Sequence, residues 1–160
     1  EEDQSGDFAK LDKIENYYDE PLNFEELVGI KTEWENKVKK YSRPFLSEKN
    51  IYVGNSSLNF TLTRKYFLTS EGTSIVQNQT ATQGYVQSMI KSADGMELPL
   101  YKSYFSFLSK NMPEDKIILA DVDGMIQTLK ALYDAPVVEP YTGPAILSGR
   151  AAGVFFHEIF

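Results

Sequence analysis

The sequence predicts an α+β fold, an antiparallel meander sheet flanked by helices. Three observations carry this. Twenty aromatic rings come from Tyr and Phe alone, and aromatics suit half-buried pleated surfaces. A period of two runs through Leu58, Phe60 and Leu62, alternating with Ser57, Asn59, Thr61 and Thr63. Helical periodicity stands before and after that region.

The elements follow in order. Residues 1–31 read as an acidic arm or linker. Residues 1–35 hold twelve acidic side chains against three lysines, within a net charge of -7 for the 160-residue chain. Low aliphatic content in residues 1–22 predicts a mobile arm with Tyr17 and Tyr18 laid on the surface. Thr32-Glu33-Trp34-Glu35 has capping-box spacing and predicts a helix start, so residues 32–160 are read as one α+β domain. Trp34, Val38, Tyr41 and Phe45 form its apolar face, and Pro44 should kink or end it.

Asn50 to Thr69 reads as strand, then Ser70-Glu71-Gly72 as a turn into Thr73–Gln79. Ala81–Lys91 and Met96–Phe107 flank Asp94-Gly95, a hairpin signal, so three or four strands follow one another in a meander. After Pro113 a helix is expected, with Glu114 and Asp115 at its positive end and Val122, Met125, Ile126, Leu129 and Leu132 buried. Pro144–Leu147 reads as a short buried strand, and Ser148 as the N-cap of a last helix, Gly149 to Phe160.

Composition excludes several functions. No concentrated basic patch exists for phosphate contacts, which excludes direct nucleic-acid binding. No apolar run approaches the length of about 20 residues that a membrane span needs. The absence of Cys removes disulfides and thiolate metal ligands, and leaves the compartment open.

One dipeptide carries chemistry. The only His, His157, is followed by Glu158 on an apolar helix. Imidazole ligates Zn²⁺, and a neighbouring carboxylate can take a proton from metal-activated water. The same pair also fits a partly buried helix residue hydrogen-bonded locally.

The context around the pair weighs on the choice. The stretch from Tyr133-Asp134-Ala135-Pro136 through Gly143-Pro144-Ala145-Ile146-Leu147 leads into the small-residue helix bearing His157-Glu158. This resembles the TldD/PmbA family of zinc metallopeptidases, in which such a segment leads into a helix with His-Glu-x-x-x-His. The resemblance runs more loosely through residues 64–71 and Ala93-Asp94-Gly95. The acidic arm is similar to that of the Bacteroidetes-type branch. The resemblance implies His157 as first zinc ligand and Glu158 as general base. It places the second His two positions past Phe160 and a further Cys ligand elsewhere. The chain is then expected to be a piece of a longer peptidase, ending inside its metal helix and inactive alone. It implies extended or unfolded peptides as substrates. It implies homodimers or pairing with a paralogous subunit as well, with links to toxin maturation and, indirectly, to gyrase control.

Other features have two readings each. Gly149 and Gly153 fit either a helix held tightly under the site or ordinary close packing on the sheet. Arg150 fits a substrate carboxylate or a surface ion pair. Tyr101, Tyr104, Phe105 and Phe107 fit a peptide groove, or sheet core with Tyr rings on a partly wet face. Asp121 and Asp123 do not converge on a helix and read as a solvated face. The alternative to the enzyme is a non-catalytic scaffold domain that binds peptides or a partner.

Overall fold

A computed structural model of the chain describes residues 16–20, 24–70 and 72–160. Most of the arm expected over residues 1–31, namely 1–15 and 21–23, lies outside them. The architecture is α+β: a four-stranded sheet with two helices on one face and a third helix at the C-terminus.

The strands are β1 (Tyr17–Tyr18), β2 (Ile51–Leu68), β3 (Ser74–Lys91) and β4 (Glu97–Ser106). β3 is central. β2 pairs antiparallel along its whole length, and β4 pairs antiparallel with its second half. β1 lies parallel to β3 at Ile75 and Val76. The expected meander is therefore present, and the two strands read over 73–79 and 81–91 are one continuous strand. Glycine at φ +91° makes each turn: Gly72 between β2 and β3, and Gly95 between β3 and β4. In the second turn the Ser92 hydroxyl donates to Asp94 Oδ1, as does the Met96 amide, and these bonds hold that carboxyl below the usual carboxylate range.

Helix α1 (Phe24–Ser42) begins eight residues before the expected cap at Thr32, so the Thr32–Glu35 spacing lies inside it. Pro44 ends it as expected, and a 3₁₀ turn, Arg43–Ser47, follows. Helix α2 spans Asp115–Tyr133. On the sheet, even-numbered residues face the helices. Thr82, Gly84, Val86, Ser88 and Ile90 are all buried, whereas Tyr85 and Gln87 point to the open side.

The core follows from that alternation. Trp34, Tyr41 and Phe45 from the first helical segment meet Ile118, Val122, Met125 and Ile126 from α2, over Val86. Each fully buried apolar side chain contributes roughly 1.5–3 kcal/mol. Leu132, expected in the stripe, is exposed, and Ile118 takes a buried place one turn from the helix start. Gly84 makes room for Met112, since a Cβ there would sit 3.1 Å from its methyl.

Polar ties fix the helices. The Tyr41 hydroxyl donates to Asp115 at 2.6 Å and Lys40 at 2.7 Å, joining α1 to α2. The Tyr104 hydroxyl donates to Asp121 at 2.8 Å, beside Lys102 at 3.2 Å, joining β4 to α2. Asp121 is thus a tie between elements rather than the solvated carboxylate expected, while Asp123 is exposed. Burial and the neighbouring carboxylates push both tyrosine hydroxyls well above their ordinary range. At the far end of the sheet, Asp19 accepts from the Asn78 amide and from Tyr17, and Arg64 donates to the Asp19 and Glu20 carbonyls. That latch holds residues 17–20 against the sheet.

A candidate metal-binding helix

The site predicted from sequence lies on α3 (Gly149–Ile159), which follows a stretch without regular structure from Ala135 to Ser148. The short buried strand expected at Pro144–Leu147 is absent, and Ile146 is 97% exposed. Among the described residues no strand lies beside these to accept their backbone hydrogen bonds, and Pro144 has no N–H to offer.

Ser148 is the N-cap residue, as expected, with extended backbone and no side-chain cap bond. Gly149 then turns the chain into the helix at φ +52°, a conformation that suits glycine. A Cβ at Gly149 or Gly153 would meet nothing within 4 Å. Neither reading of close packing at those glycines holds, because α3 is not laid on the sheet. Its apolar residues Val154, Phe155, Phe156 and Ile159 are all exposed. They touch each other: Phe155 and Phe156 meet edge to face at 5.6 Å, and Phe156 stacks on Phe160 at 6.1 Å.

His157 and Glu158 both stand exposed in the last turn of α3. Among the described residues, no three His, Cys, Asp or Glu side chains gather closely enough to hold a metal ion. The donor set is one imidazole and its neighbouring carboxylate, against the three or so protein ligands of catalytic zinc. The residues present therefore fit part of a zinc site and do not complete one.

Arg150 donates to the Ser103 carbonyl of β4 at 3.1 Å. Among the described residues it forms no ion pair; it ties the start of α3 to the sheet, close to Tyr104. The aromatic row divides by strand parity. Tyr104 turns to the helices, while Tyr101, Phe105 and Phe107 lie exposed on the open side, with Phe105 and Phe107 edge to face at 5.1 Å. The phenylalanines are not core, because nothing covers that side of the sheet among the described residues.

A cleft of about 440 Å³ opens elsewhere, where Glu48, Lys49 and Ile51 meet Leu129, Lys130 and Tyr133. It is crossed by the Lys130–Glu48 ion pair at 2.9 Å. Sequence reasoning missed it, because no motif marks two elements that meet only in the fold. Among the described residues, no helix is long and apolar enough to cross a membrane. Comparison of the chain with protein-family models, with curated proteins and with solved structures finds no match.

Proposed function

We propose that this chain contributes part of the metal-binding helix of a zinc-dependent peptidase acting on unfolded or extended peptides. The observation that supports it is the His157-Glu158 pair, exposed in the last turn of a regular helix that stands off the body of the fold. On this reading His157 is a zinc ligand and Glu158 the general base. The remaining ligands come from outside the described residues. Zinc, when bound, supplies the acidity of the attacking water. Glu158 is placed one residue from the ligand, where it would accept the proton that water loses. Phe155, Phe156 and Ile159 give the helix an apolar surface that a second part of the protein, a second copy or a paralogous subunit would cover.

A second reading is favoured by a different observation. The open side of the sheet exposes Tyr85, Tyr101, Phe105 and Phe107, which suits a non-catalytic domain that binds peptides or a partner.

The test is bound zinc and peptide hydrolysis, measured on the protein expressed from its native gene. His157→Ala is expected to lose both. Glu158→Gln is expected to keep zinc and lose a factor of about 10² to 10⁴ in turnover. Full zinc occupancy in His157→Ala moves the metal site elsewhere. Undiminished turnover in Glu158→Gln removes the base from that residue. A wild-type protein with neither zinc nor hydrolysis leaves the binding-domain reading standing.

A further inference from the structure

The open side of the sheet carries a repeated row of side chains. In the register of the three long strands, Tyr101 stands beside Gln87, and Gln87 beside Asn55. Four residues further along each strand, Phe105 stands beside Gln83, and Gln83 beside Asn59. Each row is one aromatic ring followed by two amides. Between the two rows lie Ser103, Tyr85 and Ser57, a ring with a hydroxyl on either side. All three rings are exposed. Tyr101 and Phe105 are roughly 13 Å apart at about 3.3 Å per residue, and Tyr85 sits midway on the neighbouring strand. The face is also uncharged. No odd-numbered residue from 53 to 63, from 79 to 89 or from 99 to 105 is charged, in a chain where 24% of residues are. An open face is where charged side chains ordinarily go, so their absence points to a neutral ligand.

We propose that this face binds an extended, neutral, β-linked glycan of the cellulose or xylan type, laid along the strands over Tyr101, Tyr85 and Phe105. The match is chemical at each point. A pyranose unit with equatorial hydroxyls presents a flat C–H face, which is attracted to the negative face of an aromatic ring. Its hydroxyls both donate and accept, and so do the amides of Gln and Asn. A row that repeats along the strands suits a ligand that repeats. A β-linked chain of this type is an extended ribbon that can lie on an open sheet, whereas an α-linked glucan coils away from it. The rivals fit less well. An extended peptide is taken up at a strand edge through main-chain hydrogen bonds, and β3 spends its own on β2 and β4. Protein interfaces concentrate Arg and are poor in Ser, whereas here Ser57 and Ser103 flank the central ring and no Arg stands at these positions. The inference rests on the binding-domain reading of this face, names its ligand class, and is independent of His157 and Glu158.

Titration of the isotope-labelled protein with cellohexaose and with xylohexaose, followed by NMR, tests this. At least one of the two is expected to bind, with amide shifts centred on β3 and β4. Tyr101→Ala and Tyr85→Ala, both at exposed positions, are each expected to weaken binding about tenfold. Tyr85→Phe keeps the stacking face and should bind within about twofold of wild type. Maltohexaose, the α-linked comparator, should bind more weakly than either β-linked chain. Should an alanine variant fail to fold, Tyr85→Phe and the maltohexaose comparison are joined by Gln87→Ala, which removes one exposed amide and should weaken binding severalfold. No binding of either β-linked hexasaccharide at millimolar concentration overturns the proposal. So does binding that Tyr101→Ala and Tyr85→Ala leave unchanged. If an uncharged synthetic peptide shifts these amides and the hexasaccharides do not, the glycan fails and the binding-domain reading survives it.

Discussion

The layered body and the segment after α2 are both regular in part, yet different forces hold them. In the body, Val122 and Leu129 have no exposed surface at all, and Tyr41 and Phe45 keep 3%. In the segment from Ala135 onward, Ile146 and Phe160 are almost fully exposed, and the aromatic rings of α3 find partners only within α3 among the described residues. Two sequences with good helical pattern thus have opposite surroundings. α2 is held by an apolar stripe against the sheet. Among the described residues, the eleven residues of α3 rest on local propensity and the hydrogen bond from Arg150, and isolated helices of that length are marginal in water. Stability is concentrated in one part and the candidate chemistry is carried by the other.

The sharpest way to break this comparison is to remove the same kind of bulk from each part. Leu129→Ala is expected to cost about 2–5 kcal/mol, as fully buried leucines do. Phe156→Ala, half exposed on α3, is expected to cost less than about 0.5 kcal/mol. Urea denaturation of both variants decides it. Equal losses would mean that α3 is packed into the cooperative unit.

A smaller effect separates the polar ties of the body from its core. Lys40 and Tyr41 both donate to Asp115 and hold its carboxyl below the usual range. A depressed carboxylate stabilises the fold at pH values above its unfolded pKa, near 4. That contribution is lost as pH falls through the unfolded and then the folded value. Asp115→Asn should therefore flatten part of the acid limb of a stability–pH curve and leave less stability at neutral pH. Tyr41→Phe, which removes one hydrogen bond to a charged group, should cost roughly 1.5–3 kcal/mol at pH 7. An unchanged acid limb in Asp115→Asn would show that the tie does not survive in solution.

Much of the body was legible because its signals are local. The alternation over Ser57–Thr63, the Asp94-Gly95 turn, the face Trp34–Tyr41–Phe45 and the stop at Pro44 all act within a few residues, and each stands where expected. What failed depended on neighbours the pattern does not name. Leu132 repeats the spacing of the α2 stripe and yet is exposed, whereas Leu129 one turn earlier is fully buried. Phe105 and Phe107 read as sheet core or as a peptide groove, and both lie exposed, Phe105 turned by strand parity to the side that no described residue covers. Pro144–Leu147 is apolar enough for a buried strand and has no strand beside it among the described residues. At the candidate site, the sequence placed His157 and Glu158 on a helix, and α3 carries them. The tie between Arg150 and Ser103 was out of reach, because the residues lie 47 apart and meet at a backbone carbonyl that has no sequence signature.

That tie yields the smallest and most specific test. Arg150 is exposed and makes one hydrogen bond to the body, so Arg150→Ala should change global stability by less than about 0.5 kcal/mol. Its effect should appear instead in α3. Hydrogen exchange reports local opening separately from global unfolding. Amides of residues 153–159 should exchange faster in Arg150→Ala, while those of β3 and α2 keep wild-type protection. Arg150→Lys should recover part of the difference, because an ammonium can still donate to the Ser103 carbonyl but lacks the planar fork. If α3 exchanges equally in wild type and Arg150→Ala, the guanidinium does not hold the helix to β4. The orientation of His157 and Glu158 is then not set by that hydrogen bond.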